Sequence, residues 1–262
     1  MQNKSPLRYP GGKTRACKVL EALVTEHFDL NEFTTLVSPF FGGGSFEFHM
    51  QNCHGLKIVS NDKFTPLYNF WRVCKTDNKT LCIELGKYLD KIDKDRFIDM
   101  RGKIMDELDI LEQAVMYFII NRCSFSGATL SGGFSGEASK KRFTQSSIDR
   151  VEKLELSLFD IENLDYADFM DKQYEKSIMF LDPPYYLEKG SKLYGKNGDM
   201  HDSFDHEQLY NCLSTKKNWI MTYNDCVYIR DLYKDFKVID TSWSYGMNKS
   251  KASSEIVIIG LR

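Results

Sequence analysis

Four consecutive residues, Asp182-Pro183-Pro184-Tyr185, combine a carboxylate, two rigid backbone positions and an aromatic ring. They follow the apolar run Ile178–Leu181, which predicts a buried strand, so they would lie at the sheet edge where open α/β proteins bind ligands. The prolines fix two φ angles and remove two backbone donors. Asp182 and the Pro183 carbonyl would then accept both hydrogens of a planar amine, while Tyr185 stacks on its ring. A turn that merely ends the strand is the alternative.

A glycine turn, Phe40-Phe41-Gly42-Gly43-Gly44, follows the short apolar segment Leu36–Val37. Such a turn lets a ligand approach the backbone closely, but it lacks the GxxxxGK[ST] and GxGxxG spacings of phosphate-binding loops. Asp62 ends the next predicted strand, Leu56–Ser60, and stands about twenty residues further on, where an acidic residue accepts from ribose hydroxyls. An Asx turn closing the strand is an equally good interpretation of Asp62.

A third motif, Arg8-Tyr9-Pro10-Gly11-Gly12-Lys13, lies near the beginning of the chain. Alone it reads as a loop with a capping lysine. Together with the two other motifs, it is predicted to line the same ligand site, where Lys13 would pair with a carboxylate.

Metal and covalent catalysis are disfavoured by the sequence. The five histidines show no metal-ligand spacing, and neither HExxH nor GxSxG occurs; His206 is expected to begin a helix rather than act as a base. Seven cysteines without a CxxC pair indicate reduced thiols in a cytosol-like compartment, not a zinc site or a disulfide framework. We therefore expect no bound metal.

Apolar strands alternate with helical segments, which predicts an α/β fold with a largely parallel central sheet. The remaining strands are expected at Ile161–Leu164, Trp219–Thr222, Phe236–Asp240 and Glu255–Gly260, the last two antiparallel. A helical and loop-rich insertion over 71–152 interrupts the sheet domain, which is assigned to 1–70 and 153–262. We expect helices over Ser45–Asn52, most of 64–101, Glu112–Ile120 and Ile148–Leu158, and a long loop or hairpin over Phe125–Arg142.

The chain has 262 residues, 42% of them hydrophobic, and a net charge of −2, which gives no hint of a nucleic-acid ligand. The charge is uneven, however. The first twenty residues carry five basic side chains and no acidic one, and 121–150 carry a basic surplus of three, whereas 152–175 carry eight acidic side chains against two basic ones. A basic face can therefore coexist with a neutral sum. No apolar run reaches membrane-spanning length, and residues 1–20 lack the apolar core of a secretion signal, so a cytoplasmic protein is expected.

The order of these motifs resembles the Dam-like, D12 class (alpha group) adenine-specific DNA methyltransferases. The resemblance rests on residues 8–13, 39–45, Asn61-Asp62, Asp168-Phe169 and 182–185, together with the closing strand. It implies a Rossmann-like methyltransferase sheet with an inserted, mostly helical target-recognition domain. It also implies that a methyl group passes from S-adenosylmethionine to N6 of a flipped-out adenine in double-stranded DNA, as in restriction-modification systems.

The resemblance also implies roles for individual residues. Tyr9 and Lys13 would contact the cofactor, Phe41 and Gly42, Gly43 and Gly44 would line its methionine part, Asp62 would take the ribose, and Asp168 with Phe169 would border its adenine. Asp182 and Tyr185 would hold the target base, with Asp182 also near the cofactor, and Asn224 resembles a later, looser motif.

Segment 71–152 corresponds to the family's target-recognition domain, because Asn121-Arg122 and Phe125-Ser126-Gly127 resemble its motifs. The residues expected to contact DNA are Arg8, Asn121, Arg122, Ser126, Lys140, Lys141 and Arg142. The chain has Leu130 where GATC-specific enzymes carry a guanine-reading arginine, which argues against GATC as its target.

Two other functions remain open from the sequence. The tetrapeptide chemistry serves any planar amino group, so N4 of cytosine or another amide is an alternative acceptor. A catalytically inactive DNA-binding relative is the second alternative, against which the intact motifs argue.

Overall fold

A seven-stranded sheet organises the protein, whose computed structural model describes residues 2–9, 11–107, 109–186, 204–243 and 253–261. The strands are β1 (Thr35–Ser38), β2 (Lys57–Asn61), β3 (Phe159–Glu162), β4 (Ser177–Leu181), β5 (Trp219–Asn224), β6 (Lys237–Trp243) and β7 (Ser253–Gly260). Their order is β3-β2-β1-β4-β5-β7-β6, with β7 antiparallel to both of its neighbours and the other pairs parallel. The predicted α/β sheet and its two final antiparallel strands are confirmed.

The order in which successive strands are added to the sheet reverses between the parallel neighbours β1 and β4. From β1 the chain proceeds outward through β2 to β3, and from β4 it proceeds the opposite way to β5. A crevice forms at such a switch point, beyond the carboxyl ends of the two central strands. The glycine turn follows β1 and Asp182 follows β4, so the fold brings the two motifs to this one crevice.

Ten α-helices lie in the described part of the chain. They are α1 (Cys17–His27), α2 (Ser45–His54), α3 (Thr65–Gly86), α4 (Lys94–Lys103), α5 (Ile110–Cys123), α6 (Gly136–Arg142), α7 (Gln145–Glu152), α8 (Tyr166–Met170), α9 (His206–Ser214) and α10 (Val227–Leu232). His206 begins α9 as expected, with the Asp205 side chain capping the helix through the Gln208 N–H. None of the described helices is long and apolar enough to cross a membrane.

Helices cover both faces of the sheet and bury three apolar cores. One core packs α3 and α5 against Phe41, Ile58 and Phe159 near β1, β2 and β3. A second joins α1 and α2 to the sheet through residues such as Leu20 and Phe180, and a third surrounds Trp219 in β5. The expected boundary at 70/71 lies inside α3, where Phe70 and Trp71 both belong to the first core, so the insertion shares this core with the sheet.

Three expectations about local structure were wrong. The segment 125–142 is not one long loop: it contains two 3₁₀ turns and α6, which Ser135 caps by accepting from the Ala138 N–H. The helix expected over Ile148–Leu158 is α7, which begins earlier and ends at Glu152. β3 is displaced towards Phe159, because the main chain of Leu164 bonds to the Asn61 side-chain amide instead of joining a strand ladder.

Candidate active site

A partly buried ion pair joins the first and last motifs. Lys13 begins a 3₁₀ turn (Lys13–Arg15) directly before α1, and its Nζ lies 2.8 Å from both Oδ1 and Oδ2 of Asp182. Nζ also donates to the Gly11 carbonyl at 3.0 Å. The Lys13 side chain is only 3% exposed, whereas that of Asp182 is 24% exposed. Lys13 therefore does meet a carboxylate, and that carboxylate keeps an open side.

A third group fixes the orientation of Asp182. Thr222, on the neighbouring strand β5, donates from Oγ1 to Asp182 Oδ1 at 2.7 Å. Oδ1 thus accepts from both Thr222 and Lys13, whereas Oδ2 accepts from Lys13 alone among the described residues. Since a carboxylate oxygen accepts two hydrogen bonds, Oδ2 retains acceptor capacity. None of the described residues donates to the Pro183 carbonyl either.

The Tyr185 ring is held on its hydroxyl side. Its OH donates to Oε2 of Glu255 on β7 at 2.9 Å, and Glu255 is 2% exposed. The ring stacks on Tyr223, with centroids 5.7 Å apart and planes at 26°, and Lys13 Nζ lies 5.1 Å from its centroid. Tyr185 is consequently a positioned ring rather than a freely rotating one.

The residues after Tyr185 are tied to the end of β5. Asn224 donates from Nδ2 to the Tyr186 carbonyl at 2.8 Å, and the Tyr186 ring stacks on Tyr228 at 4.4 Å. His206 Nδ1 is hydrogen-bonded to the Tyr223 hydroxyl. Asn224, which the sequence placed only loosely, thus holds the main chain directly after Tyr185.

The glycine turn is shaped by positive backbone angles and by Tyr9. Gly42 and Gly44 have φ of +51° and +64°. A Cβ added at Gly42 or Gly43 would approach Tyr9 side-chain atoms to 2.8 Å and 2.9 Å, so only glycine lets this ring pack against the turn. The Gly42 carbonyl accepts from Trp71 Nε1 at 2.9 Å.

The Phe41 side chain lies in the apolar core, contrary to the prediction that it lines a ligand site. Its side chain is 3% exposed and its ring packs against Phe48, Trp71 and Phe159 in the first core. Because the ring faces the core, only the backbone of Phe41 is available to line a ligand site.

Asp62 is buried beside the glycine turn. Its Oδ2 accepts from the Gly42 N–H and its Oδ1 from the Phe64 N–H, both at 2.9 Å. Burial raises the pKa of Asp62 to about 6, an effect that the hydrogen bonds from Phe64 and Gly42 oppose. The Asx turn that the sequence offered as an alternative is therefore present, and each oxygen retains capacity for a further donor.

The predicted pair Asp168 and Phe169 lies on α8, just after β3. Asp168 is exposed, whereas the Phe169 side chain is fully buried in the third core, where its ring contacts Tyr174. Of this pair, only Asp168 presents a side chain to solvent.

The structure adds residues that the sequence did not single out for the site. Thr222 and Glu255 were seen only as parts of strands, yet Thr222 bonds to Asp182 and Glu255 bonds to Tyr185. Glu47 in α2 is 3% exposed and accepts from the Ser38 hydroxyl at 2.6 Å. Burial raises the pKa of Glu47 to about 7, with a smaller contribution from the negative charge of Asp182. A lone acidic residue beside the apolar run of β7 is the signal that could have identified Glu255, whereas Glu47 lies in a helix with several other polar residues and has no such signal.

Two residues expected to contact DNA are buried instead. Asn121 is fully buried; its Oδ1 accepts from the Arg8 N–H at 3.0 Å and its Nδ2 donates to the Arg8 carbonyl at 2.7 Å. Arg122 is 6% exposed and donates to the carbonyls of Arg142 and Pro6 at 2.8 and 3.3 Å. Burial lowers the pKa of Arg122 to about 10. Both side chains are occupied by main-chain groups, so the expectation of a DNA contact was wrong for both.

The hydrogen bonds of Arg122 hold the two basic segments, 1–20 and 121–150, next to each other. Arg122 links the main chain at Pro6 to that at Arg142, which brings the N-terminal segment beside the end of α6. Arg8 is half-buried, and its Nη1 has no hydrogen-bond partner among the residues that the structure describes. Lys140 and Lys141 are exposed and Arg142 is half-buried. The two basic segments are therefore neighbours.

Two further positions complete this region. Leu130 is 7% exposed and belongs to the first core, so this position offers no polar group to a base. Ser126 lies in the 3₁₀ turn Phe125–Gly127, and its side chain lies outside the described part of the chain.

Comparison with known proteins identifies relatives over most of the chain. The family model described as D12 class N6 adenine-specific DNA methyltransferase matches residues 9–247. The chain is 23% identical over 207 residues to the Type II methyltransferase M.MjaIII of Methanocaldococcus jannaschii, which covers 71% of this chain and 70% of the relative. It is 24% identical over 243 residues to the Type II methyltransferase M.CviBI of Paramecium bursaria Chlorella virus NC1A, which covers 89% of this chain and 87% of the relative.

Proposed function

We propose how individual residues serve the reaction of this chain, which belongs to the D12 class N6 adenine-specific DNA methyltransferases. The reaction is the methylation of adenine in DNA, and the family implies S-adenosylmethionine as the methyl donor and double-stranded DNA as the substrate. S-adenosylmethionine supplies a methyl group that is already activated by its bond to a positively charged sulfur. The work left to the protein is therefore chiefly to orient the two reactants.

The residues at the switch point fit this cofactor. Its methionine part carries both an ammonium and a carboxylate, and Lys13 and Asp182 present the two complementary charges within one crevice. Tyr9, Lys13, the backbone of 41–44 and Asp182 would hold the methionine part. Asp62 would accept from the ribose, with Asp168 and the backbone of Phe169 beside the cofactor's adenine.

Asp182 and Pro183 would bind the amino group of the target adenine. N6 is a poor nucleophile because its lone pair is delocalised into the ring. Asp182 Oδ2 has acceptor capacity left, and the neighbouring carbonyl of Pro183 provides a second acceptor. Accepting both hydrogens favours a tetrahedral nitrogen whose lone pair points at the methyl group. The spare acceptor capacity of an oriented Asp182 is the observation that carries this proposal.

Tyr185 would receive the base after it leaves the duplex. Flipping a base costs a few kcal/mol of stacking and pairing, which a preformed aromatic platform partly offsets. Tyr185 is such a platform because Glu255 and Tyr223 already fix its ring.

The DNA backbone would be bound by the two adjacent basic segments. Arg8, Lys140, Lys141 and Arg142 supply the positive charges, and neutralising phosphates contributes affinity without sequence specificity. Ser126 stays in this proposed set, whereas Asn121 and Arg122 act by holding the segments together. Segment 71–152 would serve as the target-recognition domain, although it shares its core with the sheet. Because Leu130 is buried, a sequence other than GATC is proposed as the target.

The motif order supports placing the chain in the Dam-like alpha group. The names of the two relatives support a role in restriction-modification, and a DNA substrate supports a site of action in the cytoplasm.

Product identification tests the function. Plasmid DNA, incubated with the purified protein and labelled cofactor, is digested to nucleosides and analysed by mass spectrometry against DNA incubated with cofactor alone. We expect N6-methyladenine. N4-methylcytosine would favour the cytosine alternative, and bound but unmodified DNA would favour an inactive DNA-binding relative. Methylation-sensitive sequencing of plasmids from expressing cells then gives the recognised sequence.

A further inference from the structure

A cluster of metal-binding side chains lies on helices α1 and α2, and the methylation chemistry does not use it. His49 and Cys53 stand four residues apart in α2, so they share one face of the helix. That face meets α1 at Glu21. The sequence did not reveal this cluster because its members lie on two different helices, with Glu21 and His49 28 residues apart in the chain.

The donor atoms of these residues converge. Glu21 Oε2 lies 2.7 Å from His49 Nε2, and Cys53 Sγ lies 3.9 Å from the same nitrogen. One ligand atom from each residue falls within 4.8 Å of the others. Ligand atoms in a tetrahedral zinc site are roughly 3.2–3.8 Å apart, given bonds of about 2.0 Å to N and O and about 2.3 Å to S. Small shifts of three side chains would open the cluster enough to accept the ion.

A fourth residue orients the carboxylate. His54 Nε2 lies 2.8 Å from Glu21 Oε1, the oxygen that does not face His49. Metal-binding carboxylates commonly accept a hydrogen bond on the oxygen that does not face the ion, and this bond orients them. The side chains of Glu21, His49 and His54 are each about one quarter exposed and Cys53 is exposed, so an ion can enter from solvent.

We propose that Glu21, His49 and Cys53 bind one Zn²⁺ ion, with His54 orienting Glu21 and water in the fourth position. Imidazole, thiolate and carboxylate ligands together suit this cation better than Mg²⁺ or Ca²⁺, which prefer oxygen. On binding, the Cys53 thiol releases its proton to solvent, His49 binds through the neutral ring, and no oxidation state changes.

The ion would clamp two helices that lead from the active site. α1 follows the turn that carries Lys13, and α2 follows the glycine turn. Near their N-terminal ends the segments are already joined, since Thr14 Oγ1 donates to Ser45 Oγ at 3.1 Å. Glu21 already joins the two helices further along through its bonds to His49 and His54. A metal ion held by Glu21, His49 and Cys53 would strengthen this connection, so the expected effect is a higher unfolding temperature.

The test uses the full-length protein, purified with a non-thiol reductant and stripped of metal. Zn²⁺ binding is measured by competition with a chromophoric chelator, and Co²⁺ is added as a spectroscopic probe. We expect one Zn²⁺ per chain, an upward shift of the unfolding temperature, and a thiolate-to-Co²⁺ charge-transfer band. Removing an outer-shell partner of a metal typically weakens binding by about 10–100-fold, and loss of a direct ligand is expected to cost at least that much.

Cys53→Ser and His49→Ala are the test variants, and Cys82→Ser and His27→Ala are the matched controls. Cys82 and His27 lie outside the cluster, bonded to the carbonyls of Ile148 and Leu23. Cys53→Ser should abolish the charge-transfer band and the thermal shift, whereas both controls should retain them. Absence of stoichiometric Zn²⁺ binding by the parent protein, or a charge-transfer band that survives Cys53→Ser, would overturn the proposal. The apo unfolding temperature of each variant shows whether it folds.

Discussion

The crevice beyond β1 and β4 and the C-terminal end of α5 both contain buried polar side chains that the sequence assigned to ligand binding. They differ in what those side chains bond to. At the crevice, the side chain of Asp182 accepts from that of Lys13, which also donates to the Gly11 carbonyl, and Asp182 remains 24% exposed with acceptor capacity left. Asn121 and Arg122 bond to main-chain groups and are 0% and 6% exposed. A motif residue whose polar atoms are occupied by backbone groups holds the chain in place, whereas one with open acceptors can meet a ligand.

The largest change in stability is expected from Asn121→Ala. The substitution leaves the N–H and the carbonyl of Arg8 without their partner in a buried place, which costs about 2–4 kcal/mol for the two groups. Urea unfolding measures this loss. Unchanged stability together with weaker DNA binding would instead return Asn121 to the DNA-contacting residues.

Glu47→Gln is expected to stabilise the protein at high pH. The pKa of Glu47 is raised from 4.5 to about 7 in the folded protein, so the folded state binds more protons than the unfolded state between these values. Stability is therefore lost as pH rises from 4.5 through 7. The glutamine side chain does not ionise, so the variant should gain about 2 kcal/mol more over the parent at pH 8 than at pH 5. Urea unfolding at both pH values checks this; equal gains would show that Glu47 does not titrate in this range.

Tyr185→Phe is expected to lower the methylation rate about tenfold, equivalent to about 1.4 kcal/mol. The sequence invoked the ring alone, which would make this substitution mild. The structure adds the hydroxyl, which donates to buried Glu255 and fixes the ring. Tyr185→Ala should lose more, because it removes the stacking platform as well. Single-turnover rates with excess enzyme separate these effects from DNA affinity; a rate unchanged in Tyr185→Phe would leave stacking as the only role.

The smallest effect is expected from Lys141→Ala. Its side chain is 72% exposed and pairs with Glu137 at 3.0 Å, a surface pair that contributes little to stability. We expect a free energy of unfolding within about 0.5 kcal/mol of that of the parent. The slope of log DNA affinity against log salt concentration should become shallower by about one. An unchanged salt dependence would remove Lys141 from the DNA-contacting set.

The sequence predicted the sheet well because its strands are short apolar runs that end in turn residues. The sequence also predicted that two motifs lie close together, because the glycine turn follows β1 and Asp182 follows β4 at the same edge of the sheet. Bonding between distant residues was not predictable: Thr222 is one polar residue in an apolar strand, and Glu255 is 70 residues from Tyr185. Asn121 bonds to the main chain of Arg8, 113 residues away, which no local pattern encodes. The sequence did not predict helix α6 because the residues just before it are rich in Gly and Ser, although one of them, Ser135, caps the helix.

The proposed reaction requires Asp182 to accept the amino hydrogens of the target adenine. The decisive measurement is the single-turnover methylation rate of Asp182→Asn, with duplex DNA affinity determined in the same samples and exposed Asp231→Asn as the matched control. An asparagine side chain keeps the shape of aspartate but turns one acceptor into a donor, so we expect a rate loss of about 10³-fold with DNA affinity within about threefold of the parent. A folded Asp182→Asn protein that methylates DNA within about tenfold of the Asp231→Asn rate would show that Asp182 is not the essential acceptor.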